Sequence, residues 1–165
     1  MGKRKTLNGL KWAKMLEQRP PFISPAKRST GPRRAGIVYE YRVVKLLRAM
    51  YGEDMVLHGP WIEYEDNRGK GWCQPDALLL PPSEDKPLII IECKLTAKSA
   101  AEQKLKNIYG PVIETIFQVP LERIKLVQVC KNLNKTFDGI LLEDVEQIYE
   151  GDWDFATLWM RTPIG

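Results

Sequence analysis

Three charged residues interrupt an otherwise apolar stretch between Gln74 and Lys94: Asp76, just ahead of Ala77-Leu78-Leu79-Leu80, and Glu92 and Lys94, at the end of Leu88-Ile89-Ile90-Ile91. Charges on a central, apolar strand are costly to strip of water. A divalent cation removes that cost, because two carboxylates with a backbone carbonyl form a hard oxygen site of the kind magnesium accepts. A lysine beside such a site can orient or deprotonate a water, or steady a phosphoryl oxygen as its charge develops. The bland alternative, strand-end charges that merely sit in water, leaves the apolar run beneath Glu92 and Lys94 unexplained.

The elements that must position these groups can be read outward from them. Pro81 to Pro87 is rich in strand breakers, so the two apolar runs form a β-hairpin. Folding it symmetrically about Glu84 sets Asp76 opposite Glu92, Leu78 opposite Ile90 and Leu80 opposite Leu88. Strand alternation then places Asp76, Glu92 and Lys94 on one face, with Cys93 on the other.

Upstream, Gly36 to Tyr51 carries Tyr39, Val43, Val44, Leu47, Met50 and Tyr51 at helical spacing, with Glu40 inside the stripe. A carboxylate facing the interior wants a cation or hydrogen-bond donors; the structural alternative is a lysine or arginine partner. Met55 to Tyr64, with Gly59-Pro60 as a bulge, reads as a strand, and Glu65 to Gly71 as a turn. Lys98 to Gln118 reads as a helix kinked at Gly110-Pro111, and Ile124 to Val129 as a fourth strand. The order is α-β-β-β-α-β.

Composition bounds the function classes. The 165 residues are 44% hydrophobic, enough for one sizeable core with an arm. No apolar run approaches a membrane span of about 20 residues, and no signal peptide is evident, so the expectation is a soluble, cytoplasmic protein without membrane association. Cys73, Cys93 and Cys130 form no C-x-x-C pair and His58 is the sole histidine, which argues against zinc or iron–sulfur ligation.

The net charge of +4 hides a gradient. Residues 1–36 hold ten Lys or Arg against Glu17 alone, residues 37–131 hold thirteen of each sign, and residues 132–165 hold two basic against seven acidic. A basic arm ahead of a neutral domain is an electrostatic footprint of nucleic-acid binding. Within the arm (residues 1–35), Lys3, Arg4, Lys5, Lys27, Arg28, Arg33 and Arg34 are candidate phosphate contacts, with Trp12 or Phe22 available to stack or pack. The alternative is a solvated tail. Leu7 to Gln18 reads as a short helix and the remainder as extended or mobile. Residues 132–165 read as an acidic accessory or dimerisation element, so a homodimer stays open; Asp138 to Tyr149 suggests a strand and short helix, and Phe155 to Met160 an apolar strand.

The order of elements and the pair Pro75-Asp76 … Glu92-Cys93-Lys94 resemble the PD-(D/E)XK nuclease superfamily over residues 36–131. That resemblance implies a restriction-endonuclease-like α/β core with a central mixed four-stranded sheet. It also implies Mg²⁺, or Mn²⁺ in its place, on Asp76 and Glu92, supported by Glu40 from the first helix. Lys94 would assist the attacking water, and Gln103 matches a glutamine that some members use early in the following helix. The implied activity is DNA phosphodiester hydrolysis by an endonuclease of structure-specific, junction-resolving or homing type. The alternatives are a catalytically silent DNA-binding module, an exonuclease, or a member that cuts RNA.

Overall fold

The branched residues Leu88 to Ile91 need apolar partners on both faces, and the computed structural model, which describes residues 5–24, 31–96, 98–132, 140–141 and 154–160, supplies them. They open β6 (Leu88–Thr96) inside a six-stranded sheet. Its order is β2 (Val56–His58), β5 (Ala77–Leu79), β6, β7 (Ile124–Asn132), β9 (Phe155–Trp159) and β8 (Ile140–Leu141). The first three strands pair antiparallel and the rest parallel. Leu78 faces Ile90 and Leu79 faces Ile89, the register expected from folding about Glu84.

Helix α1 (Pro32–Tyr51) covers one face. Proline in the first turn loses no helical hydrogen bond, and Gly52, at φ 103°, ends the helix in a conformation that favours glycine. Tyr39, Val43, Val44 and Leu47 pack on Ile89, Ile91, Val127 and Val129. On the other face a continuous helical stretch runs through α2 (Ser99–Lys104), one wide π turn (Leu105–Tyr109) and α3 (Gly110–Phe117). Its Leu105, Ile108, Tyr109, Val112 and Ile113 cover Leu78, Leu88, Ile90 and Leu126. The disruption expected at Gly110-Pro111 takes the form of that wide turn, in which the Gly110 N–H reaches back five residues to the Leu105 carbonyl. Pro111 has no N–H with which to continue the ordinary ladder.

Several expectations are corrected. Met55 to Tyr64 is not one strand: Gly59, at φ 58°, and Pro60 break it into β2 and β3 (Ile62–Asp66), which belong to different sheets. Most of Glu65 to Gly71 is strand, since β3 pairs antiparallel with β4 (Gly69–Cys73) around a tight turn at Asn67-Arg68. The expected helix over Leu7 to Gln18 is instead β1 (Trp12–Met15), the third strand of this small sheet. Here Ala13 and Met15 in the strand, with Leu7 and Leu10 ahead of it, pack against the second core, and tertiary packing overrides a weak helical preference. Helix α1 starts four residues earlier than Gly36, so Arg33 and Arg34 lie on it rather than in an extended arm. The main sheet has six strands, not four, among the described residues, because β9 and β8 continue it past β7. The expected strand over Phe155 to Met160 is β9; apart from Ile140 and Leu141, Asp138 to Tyr149 falls outside the described residues. Among those residues no helix is long and apolar enough to cross a membrane.

Candidate active site

Asp76 and Glu92 brace each other through the backbone. The Asp76 N–H donates to Glu92 Oε1 at 3.1 Å, and the Cys93 N–H donates to Asp76 Oδ2 at 2.7 Å. These two bonds extend the β5–β6 ladder by one step, with side-chain oxygens replacing carbonyls. Glu92 is only 3% exposed, while Cys93 and Leu95 pack toward the α1 side. The Lys94 Nζ stands 3.9 Å from Glu92 Oε2.

Glu40 joins the pair from α1. It hydrogen-bonds Asp76 and also lies 3.1 Å, through Oε2, from His58 Nε2 at the end of β2. His58 sits opposite Ala77 in register, and its ring meets Tyr41 edge-on at 4.9 Å. Three carboxyl groups thus converge with little water to shield them. Burial, the hydrogen bond to Glu40 and the charges of Glu92 and Glu40 push the Asp76 carboxyl up to about 9, against one backbone N–H that lowers it. Burial also raises Glu92, with Lys104 and Lys94 opposing it. For Glu40 burial acts upward too, but the hydrogen bonds from His58 and Asp76, with the charges of His58 and Lys94, outweigh it and hold the group below its usual range.

Two members of this constellation escaped the sequence reading. His58 reaches Glu40 only because β2 pairs with β5. Lys104 exerts the largest single opposing influence on Glu92, ahead of Lys94, and its Nζ lies 5.2 Å from the Tyr109 ring centroid. The Tyr109 hydroxyl in turn donates to the Gln74 carbonyl at 3.2 Å, beside Pro75-Asp76. The legible signal for Lys104 was its place next to the buried stripe Leu105, Ile108 and Tyr109. Gln103 is exposed and lines a cleft with Lys94, Lys98 and Lys104 rather than meeting the carboxylates.

The arm residues divide. Lys5 lines that same cleft, and Arg34 lines a shallow depression with Arg42 and Lys131. Arg33 is exposed, and Lys3, Arg4, Lys27 and Arg28 lie outside the described residues. Phe22 packs edge-on against Trp72 at 4.7 Å.

The donor chemistry fits a hard divalent cation: burial and the neighbouring carboxylates Glu40 and Glu92 push the Asp76 carboxyl up, a cost that a bound cation would relieve. The geometry is not that of a finished site. Among the described residues no three His, Cys, Asp or Glu side chains are already disposed around one point as ligands. Glu40 turns toward His58, and one oxygen each of Asp76 and Glu92 is taken by a backbone N–H.

No family model and no curated protein matches the chain. Among solved structures it is similar to the crystal structure of protein VC1899 from Vibrio cholerae, at 13% identity and a TM-score of 0.39, over 73% of this chain and 28% of that one.

Proposed function

We propose that the chain is a Mg²⁺-dependent DNA nuclease with a restriction-endonuclease-like core, in which Mn²⁺ can substitute, and that it acts as an endonuclease. The observation that carries this reading is the convergence of Asp76, Glu92, Glu40 and Lys94 at the end of one hairpin, with Asp76 and Glu92 cross-braced by each other's backbone.

Asp76 and Glu92 are the groups that would hold the ion, with Glu40 completing the set. Once bound, the cation would polarise the scissile phosphate and lower the pKa of water at the site. The two backbone hydrogen bonds fix which oxygens of Asp76 and Glu92 remain free to face a ligand. Lys94, half-exposed and beside Glu92, can hold the attacking water as a hydrogen-bond donor and steady the phosphoryl oxygen as its charge develops, while the water's proton leaves to solvent and the departing sugar oxygen takes one up. In the reaction the water oxygen bonds to phosphorus as the bond to the departing sugar oxygen breaks, leaving a phosphate monoester and a free hydroxyl. His58 keeps the Glu40 carboxylate aimed at Asp76.

A second reading, a silent DNA-binding module on the same scaffold, is favoured by the engagement of Glu40 with His58 and Asp76. Supercoiled, linear, single-stranded and four-way-junction DNA, each incubated with and without magnesium, separates the two. The nuclease reading expects metal-dependent cleavage of at least one substrate, lost in Asp76→Ala, Glu92→Ala and Lys94→Ala, with DNA binding retained in the two carboxylate variants. Cleavage of none in magnesium or manganese would leave the binding module.

A further inference from the structure

Beside the carboxylate cluster lies a cleft of about 430 Å³ whose lining includes Lys5, Lys94, Lys98, Gln103 and Lys104 and no acidic side chain. Lys94 and Lys104 share the single carboxylate Glu92 behind the cleft, so four ammonium groups around one small space still carry excess positive charge that a bound anion would offset. The one carboxylate of α2 does not relieve them, because Glu102 is bonded to Lys106 at 2.9 Å. Among the described residues Lys5 and Lys98 have no carboxylate partner.

The cationic residues come from three segments, each tied down independently. Near Lys5, the Thr6 carbonyl accepts from Arg68, and the Asn8 N–H donates to buried Asp66 at 3.1 Å. Lys98 is held by its own N–H on Gln128 Oε1 at 2.8 Å. Lys104 lies over the Tyr109 ring. Lysines that converge from backbone held in place bind an anion better than lysines scattered on a surface, since less backbone freedom is lost on binding.

We infer that this cleft seats a backbone phosphate adjacent to the one cut, with Lys98 and Lys104 as its principal contacts. Lys94 belongs to both sites and so joins them. This inference rests on the nuclease reading for the word "cut", but the phosphate seat itself can be measured without cleavage. Gln103 gains a role in it, as a neutral donor at the cleft wall rather than a partner of the carboxylates. Lys104, facing both Glu92 and the cleft, becomes a positioning residue that couples occupancy of the seat to the charge balance of the cluster.

The test measures the affinity of the full chain for a short DNA duplex by fluorescence anisotropy, in EDTA, across a potassium chloride series. Lys98→Gln and Lys104→Gln are each compared with wild type and with Lys86→Gln, a change in the turn at the far end of the hairpin. The cleft predicts about tenfold weaker binding in each of the two variants and a salt slope lower by about 0.9 for the lost phosphate contact, with Lys86→Gln unchanged. In magnesium, Lys98→Gln should raise KM with little change in kcat, whereas Lys104→Gln should also shift the magnesium needed for half-maximal cleavage. A wild type with a steep salt slope that neither variant lowers overturns the cleft and leaves the nuclease reading standing. A wild type that binds as described but cuts nothing supports the cleft and removes the nuclease reading. Circular dichroism of both variants guards against loss of fold.

Discussion

Asp76 is the residue whose state depends most on what fills the cluster. Its folded pKa of about 9 lies above its ordinary 3.8, so the stability it contributes is complete below about pH 4 and is lost as pH rises toward 9 in the metal-free protein. Asp76→Asn fixes the neutral form and keeps an oxygen for the Cys93 N–H. It should therefore melt at or a few degrees above wild type at pH 8 and match it near pH 4; magnesium should stabilise wild type and not the variant. Thermal unfolding at the two pH values, with and without magnesium, checks this, and a variant less stable than wild type at pH 8 would contradict it. Among the described residues the hydrogen-bonding partners of Glu40 are a histidine and the Asp76 carboxyl rather than a lysine or arginine. Glu40→Gln should accordingly cost little stability while raising the magnesium required for cleavage, and a large drop in melting temperature with unchanged metal dependence would remove Glu40 from the site.

At the scale of elements, the small sheet of β1, β3 and β4 owes its packing to a glycine. Gly71 lies directly opposite Tyr64, and a Cβ there would come 2.5 Å from the end of the buried Tyr64 ring. The ring lies across β4 because nothing projects from it at that point. Gly71→Ala should push the ring out and destabilise the protein by about 1–3 kcal/mol, read as a fall in denaturation midpoint at unchanged slope. If the midpoint stays put, the ring has room that the structure does not give it. The π turn works differently: it accommodates Pro111 while keeping both Leu105 and Val112 against the sheet.

For the whole molecule, the N-terminal segment is structural before it is electrostatic. Strand β1 closes the edge of β3 along Trp12 to Met15, and the Lys11 and Leu16 N–H groups add bonds to Glu65 and Trp61 carbonyls at 2.8 Å. Deleting residues 1–16 should therefore lower the melting temperature by several degrees and leave β3 as an open edge prone to pairing with another chain. Differential scanning calorimetry with size-exclusion chromatography checks both effects. A truncated chain that melts like the full one would make the segment a passive tail. The same deletion removes Lys5 from the lysine-lined cleft, so any loss of DNA binding in this variant has to be read beside its stability.

What the sequence determined by itself is the part built from short-range pattern. The hairpin register followed from two apolar runs and a breaker-rich turn, because alternation and turn position leave few ways to pair them. The inward face of Glu40 followed from helical periodicity, and the shared face of Glu92 and Lys94 from strand alternation. Local signals were misleading where burial depended on a distant partner: Leu7 to Gln18 became a strand only because β3 offered an edge, and Met55 to Tyr64 was divided between two sheets. Tertiary structure alone decided that β2 brings His58 to Glu40, that α2 turns Lys104 toward Glu92, and that Lys5, some ninety residues earlier in the chain than Lys94, shares a cleft with it. No spacing along the chain encodes such meetings. Each depends on strand order and on which face a helix covers, and those are settled by the total apolar surface buried rather than by any single segment.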